Sequence, residues 1–196
     1  MKRAALGFSV HSGWAALVAV AIEERFPLLL LRERPHLVKT FTFEFRQPYH
    51  TAQKKPFNEG RDFIAQVHAE AAALADRAIG SAQASLKTLG YEAKNCGLLT
   101  SSAKALPELS RILASHALIH TADGELFREA LLDACKRHGL GTLTIRESET
   151  VGRAAEALQL SSTELTGRLS ALGRAHGSPW TKDEKLATLA GCLSLL

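Results

Sequence analysis

The stretch "LGFSVHSGWAALVAV", residues 6–20, contains two apolar runs separated by the polar turn signal "HSG". Short apolar runs that flank a tight turn are typical of neighbouring strands in a sheet. A third apolar run, "PLLLLRER", follows soon afterwards. In "KTFTFEFR", Phe41, Phe43 and Phe45 alternate with polar residues, and this period of two predicts a strand over 39–46. We therefore expect the first third of the chain to form a meander of three or four strands.

The rest of the chain alternates between helical segments and single strands. "QPYHTAQKKPFNEG", residues 47–60, is polar, contains two prolines and predicts a loop. The alanine-rich segment from about Asn58 to Leu89 predicts a long helix that ends at Gly90. The later elements are a strand "KNCGLLTS", a helix "PELSRILAS" opened by Pro107, a helix "GELFREALLDACKRHG" ending at Gly139, a strand "GTLTIRES", and helices over 150–196 with a break at "GRAHGSPW". One mixed sheet flanked by helices accounts for this order.

Length and composition indicate a globular chain with one core. Of its 196 residues, 46% are hydrophobic and 22% are charged, which predicts a single domain over 1–196. The net charge of +4 permits nucleic acid or a phosphorylated small molecule as a partner without requiring either. Cys96, Cys135 and Cys192 form no C-x-x-C pair, so we expect buried thiols and no disulfide framework or structural zinc site. The apolar runs are shorter than the roughly 20 residues of a membrane helix, and we expect a cytoplasmic protein without membrane contact.

Three stretches together resemble one known fold: "LGFSVHSGWAALVAV", "GELFREALLDACKRHGLGTLTIRES" and "DEKLATLAGCLSLL". The first is similar to the first strand, glycine turn and second strand of the ribonuclease H-like fold in its Holliday-junction-resolvase branch. The second is similar to that branch's helix, turn and following strand, and the third to its final helix. The resemblance implies an α/β fold with a mixed sheet, in which an antiparallel meander is followed by parallel strands, flanked by helices. "GFSVHSGW", "RQPYH", "SHALIHTADGELFR" and "GSPW" also resemble a group of bacterial proteins of similar length, which implies no activity.

The chemistry of the resembled family depends on carboxylates that hold two divalent cations about 4 Å apart. The position of its first-strand aspartate falls near Ser9 or His11, and neither is acidic. The position of its next glutamate falls on residues 97–99, "GLL", and only Asp183 and Glu184 lie near the last position. The resemblance therefore implies the fold but not the family's standard reaction.

Two histidines four residues apart, His116 and His120, are the first candidates for chemistry. A helix, which we favour here, places them about 40° apart on one face with Asp123 on the same face. Apolar residues share that face, so we expect the imidazoles to point toward the core or toward the edge of the sheet. Buried neutral histidines, a polar pocket without metal, and a zinc, iron or manganese site all remain open. Glu125 and Arg128 follow, as a surface ion pair or as a general base with its partner.

The turn "SVHSG" lies where a strand ends, and ligands of open α/β sheets bind at strand ends. The amides of the turn, with the hydroxyls of Ser9 and Ser12, can hold a phosphate or a carboxylate, and His11 can donate a proton. An ordinary hairpin turn explains the same residues. The loop "RQPYH" adds Arg46, which can bind an anion through its guanidinium group, together with the neighbouring aromatic residues.

We predict a pocket for an anionic or phosphate-bearing ligand, lined by residues from these turns and helix faces. The catalytic candidates are His11, His116, His120 and Glu125, and the ligand-binding candidates are Ser9, Ser12, Arg46, Tyr49, His50, Arg128 and Lys185. No residue is assigned as a metal ligand, and no cofactor is identified. Two alternatives are a divergent metal-dependent nuclease or nucleic-acid-binding protein, and a non-catalytic subunit that forms homo-oligomers.

Overall fold

A computed structural model describes residues 1–100 and 105–196 of the chain. Its strands are β1 (Lys2–His11), β2 (Trp14–Glu23), β3 (Phe26–Glu33), β4 (Tyr91–Thr100) and β5 (Gly141–Arg146). Within the described residues they form one sheet in the order β3-β2-β1-β4-β5. β2 pairs antiparallel with β1 and β3, whereas β4 pairs parallel with β1 and β5. The predicted meander of three strands followed by parallel strands is confirmed.

Helices cover both faces of this sheet. They are α1 (Phe43–Arg46), α2 (Pro48–Ala52), α3 (Phe57–Thr88), α4 (Leu109–Leu113), α5 (His116–Arg137), α6 (Glu147–Leu158), α7 (Ser162–His176) and α8 (Lys182–Leu193). α3 and α5 pack together on one face, while α8 lies on the other and contacts α6. None of the helices within 1–100 and 105–196 is long and apolar enough to cross a membrane.

Strand alternation decides which side chains of β1 face which layer. Leu6, Phe8 and Val10 enter the core that α3 and α5 share with the sheet. The residues between them point to the opposite face, because successive side chains of a strand alternate. Ser9 and His11 accordingly face α8.

α8 approaches the sheet closely because glycines line the contact. A Cβ atom on Gly97 would lie 1.9 Å from the carbonyl oxygen of Ala190, and one on Gly7 would lie 1.9 Å from that of Ala187. Both contacts are with backbone, which cannot rotate away as a side chain can. The glycines therefore allow the axis of α8 to run directly over the two central parallel strands, and the first turn of the helix reaches the carboxyl end of β1.

The predicted strand over 39–46 is wrong. In the structure β3 ends at Glu33, and the helix α1 occupies the second half of the predicted strand. The ring of Phe45 packs against Phe63 of α3 at a centroid distance of 5.7 Å, so that a helix and not a neighbouring strand partly covers this aromatic side chain. Gln47, which precedes Pro48, has a non-helical backbone with φ of −127° and ψ of 68° and ends α1, because a residue before proline disfavours the helical region.

The other helix and strand predictions hold with small changes in their bounds. The segment 47–60 is not a continuous loop, because it contains α2 and the start of α3. The long helix ends before Gly90, and α5 ends before Gly139; both glycines have the positive φ expected of residues that follow a helix. Ser101, the last residue of the predicted strand "KNCGLLTS", lies outside the described residues.

The cysteines are free and buried, as predicted. A hydrogen bond with Cys96 and burial raise the pKa of the Cys135 thiol. Burial alone raises the pKa of Cys192 to about 12. Both thiols therefore remain protonated in neutral solution, and a protonated thiol is a poor nucleophile.

We expect none of these thiols to react with an aromatic disulfide reagent in the folded protein. Complete reaction is expected once denaturant opens the core, because burial and protonation both block the attack. Released thiolate chromophore, followed with and without denaturant at about pH 8, measures this difference. Rapid reaction of any cysteine in the native protein would contradict the packing of the core.

Candidate functional site

The carboxyl end of β1 contacts the amino end of α8 through three polar side chains. The buried hydroxyl of Ser9 donates to Oδ1 of Asp183 at 3.0 Å, and Nε2 of His11 lies 2.8 Å from the same oxygen. Thr181 caps α8 by accepting the backbone N–H of Asp183 at 3.2 Å. Ser9 and His11, which the sequence predicted to bind an anion, therefore contact the carboxylate of Asp183 in the same chain.

The charged neighbours of Asp183 on α8 have other partners. Lys182 pairs with Glu147, at the start of α6. Glu184 is buried and accepts the backbone N–H of Thr181 at 2.8 Å in a capping box. Lys185 lines a recess of about 430 Å³ beside α7 and does not face Asp183, because residues two apart on a helix point in nearly opposite directions.

Aromatic rings and cations stack next to this strand end, on a surface that we call the stacking surface (Trp14, Arg34, His36, Phe41 and Arg46). The ring of Trp14 lies parallel to that of His11, with centroids 4.3 Å apart and an interplanar angle of 9°. The guanidinium carbon of Arg34 lies 3.5 Å from the centroid of Trp14. His11 therefore belongs both to the strand-end contact with α8 and to this surface.

The second half of the stacking surface is centred on Phe41, which is 43% exposed. Its ring stacks on His36 at 4.5 Å, and the guanidinium carbon of Arg46 lies 4.7 Å from its centroid. The buried Nε of Arg46 has no hydrogen-bond partner within the described part of the chain. Arg46 also packs against the turn at Gly13, next to the half-buried Ser12. The β1–β2 turn and the residues around Phe41 thus form one surface.

Histidines from two helices meet at a second place, the histidine cluster (His50, His116 and His120). One ring nitrogen of each lies within 4.8 Å of those of the others. The Nε2 atoms of His116 and His120 are 3.0 Å apart. His116 and His120 are exposed, so of the two predicted directions, toward the core or toward the edge of the sheet, the core is excluded. Their turn of α5 is covered by the short helix α2, which supplies His50 and leaves one side open.

A buried carboxylate supports this cluster. Oδ2 of Asp123 lies 2.5 Å from Nδ1 of His50, and its Oδ1 accepts the backbone N–H of Tyr49 at 2.8 Å. Burial raises the pKa of Asp123, while the hydrogen bonds from His50 and Tyr49 act in the opposite direction. Burial also raises the pKa of the Tyr49 phenol to about 12. Asp123 holds α2 against α5 and fixes the orientation of the His50 ring.

Glu125 and Arg128 lie elsewhere on α5. They form an ion pair with an N–O distance of 2.6 Å, and both side chains are largely buried. Nine residues separate His116 from Glu125, which turns the helix by about 900° and places the two on opposite sides. The buried Nε of Arg128 has no hydrogen-bond partner within the ranges that the structure describes.

The predicted site residues thus fall into separate groups. Ser9 and His11 face α8, on one side of the sheet, whereas the histidine cluster lies on the α5 side. The ring of Phe43 contacts that of His50 in the histidine cluster edge-on, with centroids 6.2 Å apart.

The sequence did not identify every residue of these groups. It placed Asp123 on the helix face of His116 and His120 but did not count it as a site residue. It missed four residues of the stacking surface: Trp14, Arg34, His36 and Phe41. Trp14 adjoins the hairpin turn, whereas Arg34, His36 and Phe41 lie in the stretch 32–46, "RERPHLVKTFTFEFR", whose mixture of aromatic and basic residues was the local signal.

Comparison with known proteins supports the fold. No family model matches the chain, and no curated protein matches it. Among solved structures it is similar to Thermus thermophilus RuvC in complex with a Holliday junction substrate, at 13% identity and a TM-score of 0.52, over 96% of this chain and 90% of that one. It is also similar to a second Thermus thermophilus RuvC structure, at 14% identity and a TM-score of 0.48, with the same coverage. The first of these likenesses shows that the chain has the α/β fold of RuvC, with its mixed sheet flanked by helices, as the resemblance in the sequence implied.

Proposed function

We propose that this protein binds a phosphate-bearing ligand, in particular a single-stranded nucleic acid, at the stacking surface. The observation that carries the proposal is that two arginines, Arg34 and Arg46, lie over aromatic rings at the end of β1. A guanidinium group that stacks through its face keeps its edge free to donate to phosphate oxygens. The stacked arginines therefore offer two preorganised phosphate contacts beside an exposed ring.

Phe41 supplies the second element of such a surface. A half-exposed ring next to an arginine can stack a nucleobase, and base stacking on an aromatic side chain contributes about 1–3 kcal/mol per base. The net charge of +4 favours association with a polyanion. RuvC, which shares the fold, has been captured with a Holliday junction substrate, and this supports nucleic acid as the class of ligand to test first.

Cleavage by two divalent cations does not belong to the proposal. Such a reaction needs several carboxylates around the two ions. Around Ser9 and His11, the carboxylate that both residues contact is that of Asp183, while Glu184 is engaged in its capping box. A hydroxyl, an imidazole and a single carboxylate do not fit a pair of divalent cations, so we propose binding without the standard nuclease reaction.

Arg34→Ala and Phe41→Ala are expected to weaken binding in two distinguishable ways. Loss of a phosphate contact at Arg34 lowers the slope of log affinity against log salt by about 0.7 for a single strand. Loss of the Phe41 ring leaves that slope unchanged and weakens binding by about 5- to 150-fold, the equivalent of one stacked base. Fluorescence anisotropy of a labelled oligonucleotide at several salt concentrations measures both effects.

Arg153→Ala is the matched control, because Arg153 is an exposed arginine on α6, away from the stacking surface. It is expected to leave affinity and salt slope nearly unchanged. Absence of binding at low salt, or equal losses in Arg34→Ala and Arg153→Ala, would contradict the proposal. Competition by a nucleoside monophosphate as strong as that by the oligonucleotide would identify a small phosphate-bearing molecule as the ligand instead of a polymer.

Self-association is a second candidate, favoured by exposed aromatic side chains on α1 and at the start of α3. Phe43 and Phe57 are 56% and 50% exposed, and exposed apolar patches mark protein contacts when they are contiguous. The mass of the protein in solution, measured by light scattering, tests this candidate. A monomeric mass for the wild type would remove it.

A further inference from the structure

We infer that the histidine cluster is a binding site for a divalent transition-metal ion, with Zn²⁺ as the ion it fits best. The ligands are the imidazoles of His50, His116 and His120, whose ring nitrogens lie within 4.8 Å of one another. Zinc binds imidazole nitrogen at about 2.0–2.1 Å, so nitrogens in a tetrahedral site lie about 3.3 Å apart. His116 and His120 already meet this spacing closely, with Nε2 atoms 3.0 Å apart. The nitrogen of His50, which lies within 4.8 Å of the other two, must approach them to complete the set.

Asp123 prepares His50 for this role. Metal-bound histidines in proteins usually donate their other ring N–H to a carboxylate or a carbonyl, which fixes the tautomer and the ring orientation. Here Asp123 lies 2.5 Å from Nδ1 of His50, so Nε2 is the nitrogen left for a metal. The second oxygen of Asp123 is occupied by the Tyr49 backbone N–H, and the residue is 2% exposed. Asp123 is therefore a positioning residue and not a fourth ligand.

The donor set selects the class of ion. Neutral imidazoles suit Zn²⁺, Co²⁺, Ni²⁺ and Cu²⁺, whereas Mg²⁺ and Ca²⁺ prefer oxygen ligands. Three protein ligands leave a fourth tetrahedral position open for water, which is the arrangement of zinc sites that act on substrates and not of purely structural ones. The exposure of His116 and His120 keeps that position accessible from solvent.

Packing of the rings also favours an ion. The centroid distances are 5.4 Å between His50 and His116, 4.5 Å between His50 and His120, and 4.4 Å between His116 and His120. At these distances, imidazoles from both helices can each direct a ring nitrogen to one bound cation. This site lies on the opposite side of the sheet from Ser9 and His11, and it does not depend on the proposed nucleic-acid surface.

Titration of metal-free protein with Co²⁺ and Zn²⁺ tests the site. Any affinity tag must be removed first, because a tag containing histidines binds the same ions. We expect one Co²⁺ per chain with the visible absorption of four-coordinate cobalt, and loss of that absorption when Zn²⁺ displaces it. His116→Ala and His120→Ala are each expected to abolish the tetrahedral spectrum, and both alter exposed positions, which usually tolerate substitution.

Two further variants separate a ligand role from a structural one. Asp123→Asn is expected to keep one site per chain with an affinity weakened by about 10- to 100-fold, as for other residues that orient a ligand. His176→Ala removes an exposed histidine at the end of α7 and is expected to bind both ions as the wild type does. Circular dichroism of each variant confirms that it is folded. Absence of the cobalt spectrum in the wild type, or its persistence in folded His116→Ala or His120→Ala, would overturn the inference.

Discussion

Replacing Gly97 with alanine is expected to lower the free energy of unfolding by about 3 kcal/mol, near the upper end for overpacked cores. The added Cβ atom would lie 1.9 Å from the carbonyl oxygen of Ala190 and 2.2 Å from its carbon. Neither atom can move unless α8 lifts from the sheet, because both belong to the helix backbone. For a chain of this size the loss corresponds to a decrease in Tm of about 6–12 °C, which thermal denaturation measures directly.

Gly152→Ala makes the same change where there is room for it. Among the described residues, no atom outside its chain neighbours and the nearby backbone of its own helix lies within 4 Å of the position that its Cβ would take, and the residue is exposed on α6. Alanine there is expected to stabilise the protein by about 0.5–1 kcal/mol, because glycine is unfavourable inside a helix. Similar stabilities for the two variants would show that α8 does not approach the sheet as closely as described. Lifting of α8 in Gly97→Ala should also loosen the contact between Asp183 and Ser9.

The hairpin and the antiparallel meander could be predicted because they depend on local patterns. β2 is buried on both faces, and a strand of that kind reads as the continuous apolar run "WAALVAVAI". Gly13, with φ of +84°, allows the tight turn between β1 and β2. The glycines that end α3 and α5 are equally local signals, since each must adopt a positive φ directly after a helix.

The alternation of Phe41, Phe43 and Phe45 failed as a predictor for a physical reason. A period of two indicates a strand only where a neighbouring strand is available to accept its hydrogen bonds. The chain leaves β3 at Glu33 and crosses toward α3, and there Phe45 packs on Phe63 while Phe43 remains exposed. The choice between strand and helix was made by tertiary contacts that no local pattern contains.

In the candidate site, too, residues close in sequence could be grouped from the sequence, whereas residues far apart in sequence could not. His116 and His120 share a helix face, and their spacing alone predicts this. His50 lies 73 positions before Asp123, and no periodicity connects the two. Only the packing of α2 against α5 brings His50 to the pair. The exposure of His116 and His120 was also not evident from the apolar pattern of their helix face. Likewise, the partner of Ser9 and His11 could not be identified before α8 was placed.

Replacing Phe127 with alanine is expected to have the largest effect on stability, a loss of about 3–5 kcal/mol in the free energy of unfolding. The ring is completely buried between α5 and the sheet, and its removal leaves a cavity that the neighbouring strands cannot fill. Denaturant unfolding measures the loss, and Phe57→Ala is the control because Phe57 is half exposed. The control is expected to cost less than about 1 kcal/mol. Equal costs for the two variants would contradict the burial of Phe127.

The same substitution tests how α5 supports the histidine cluster. Phe127 lies seven residues after His120 and four after Asp123, so all three share one side of the helix. Loss of the ring should therefore let the first turns of α5 shift, and we expect weaker Co²⁺ binding in addition to lower stability. Phe8→Ala removes a ring of the same core from β1 and is expected to cost similar stability with a smaller effect on metal affinity. We expect this difference because metal affinity depends on the position of the helix that carries the ligands. The free energy of unfolding depends instead on the total apolar surface that the fold buries. Equal weakening of metal binding in both variants would show that the cluster responds to overall stability and not to the anchoring of α5.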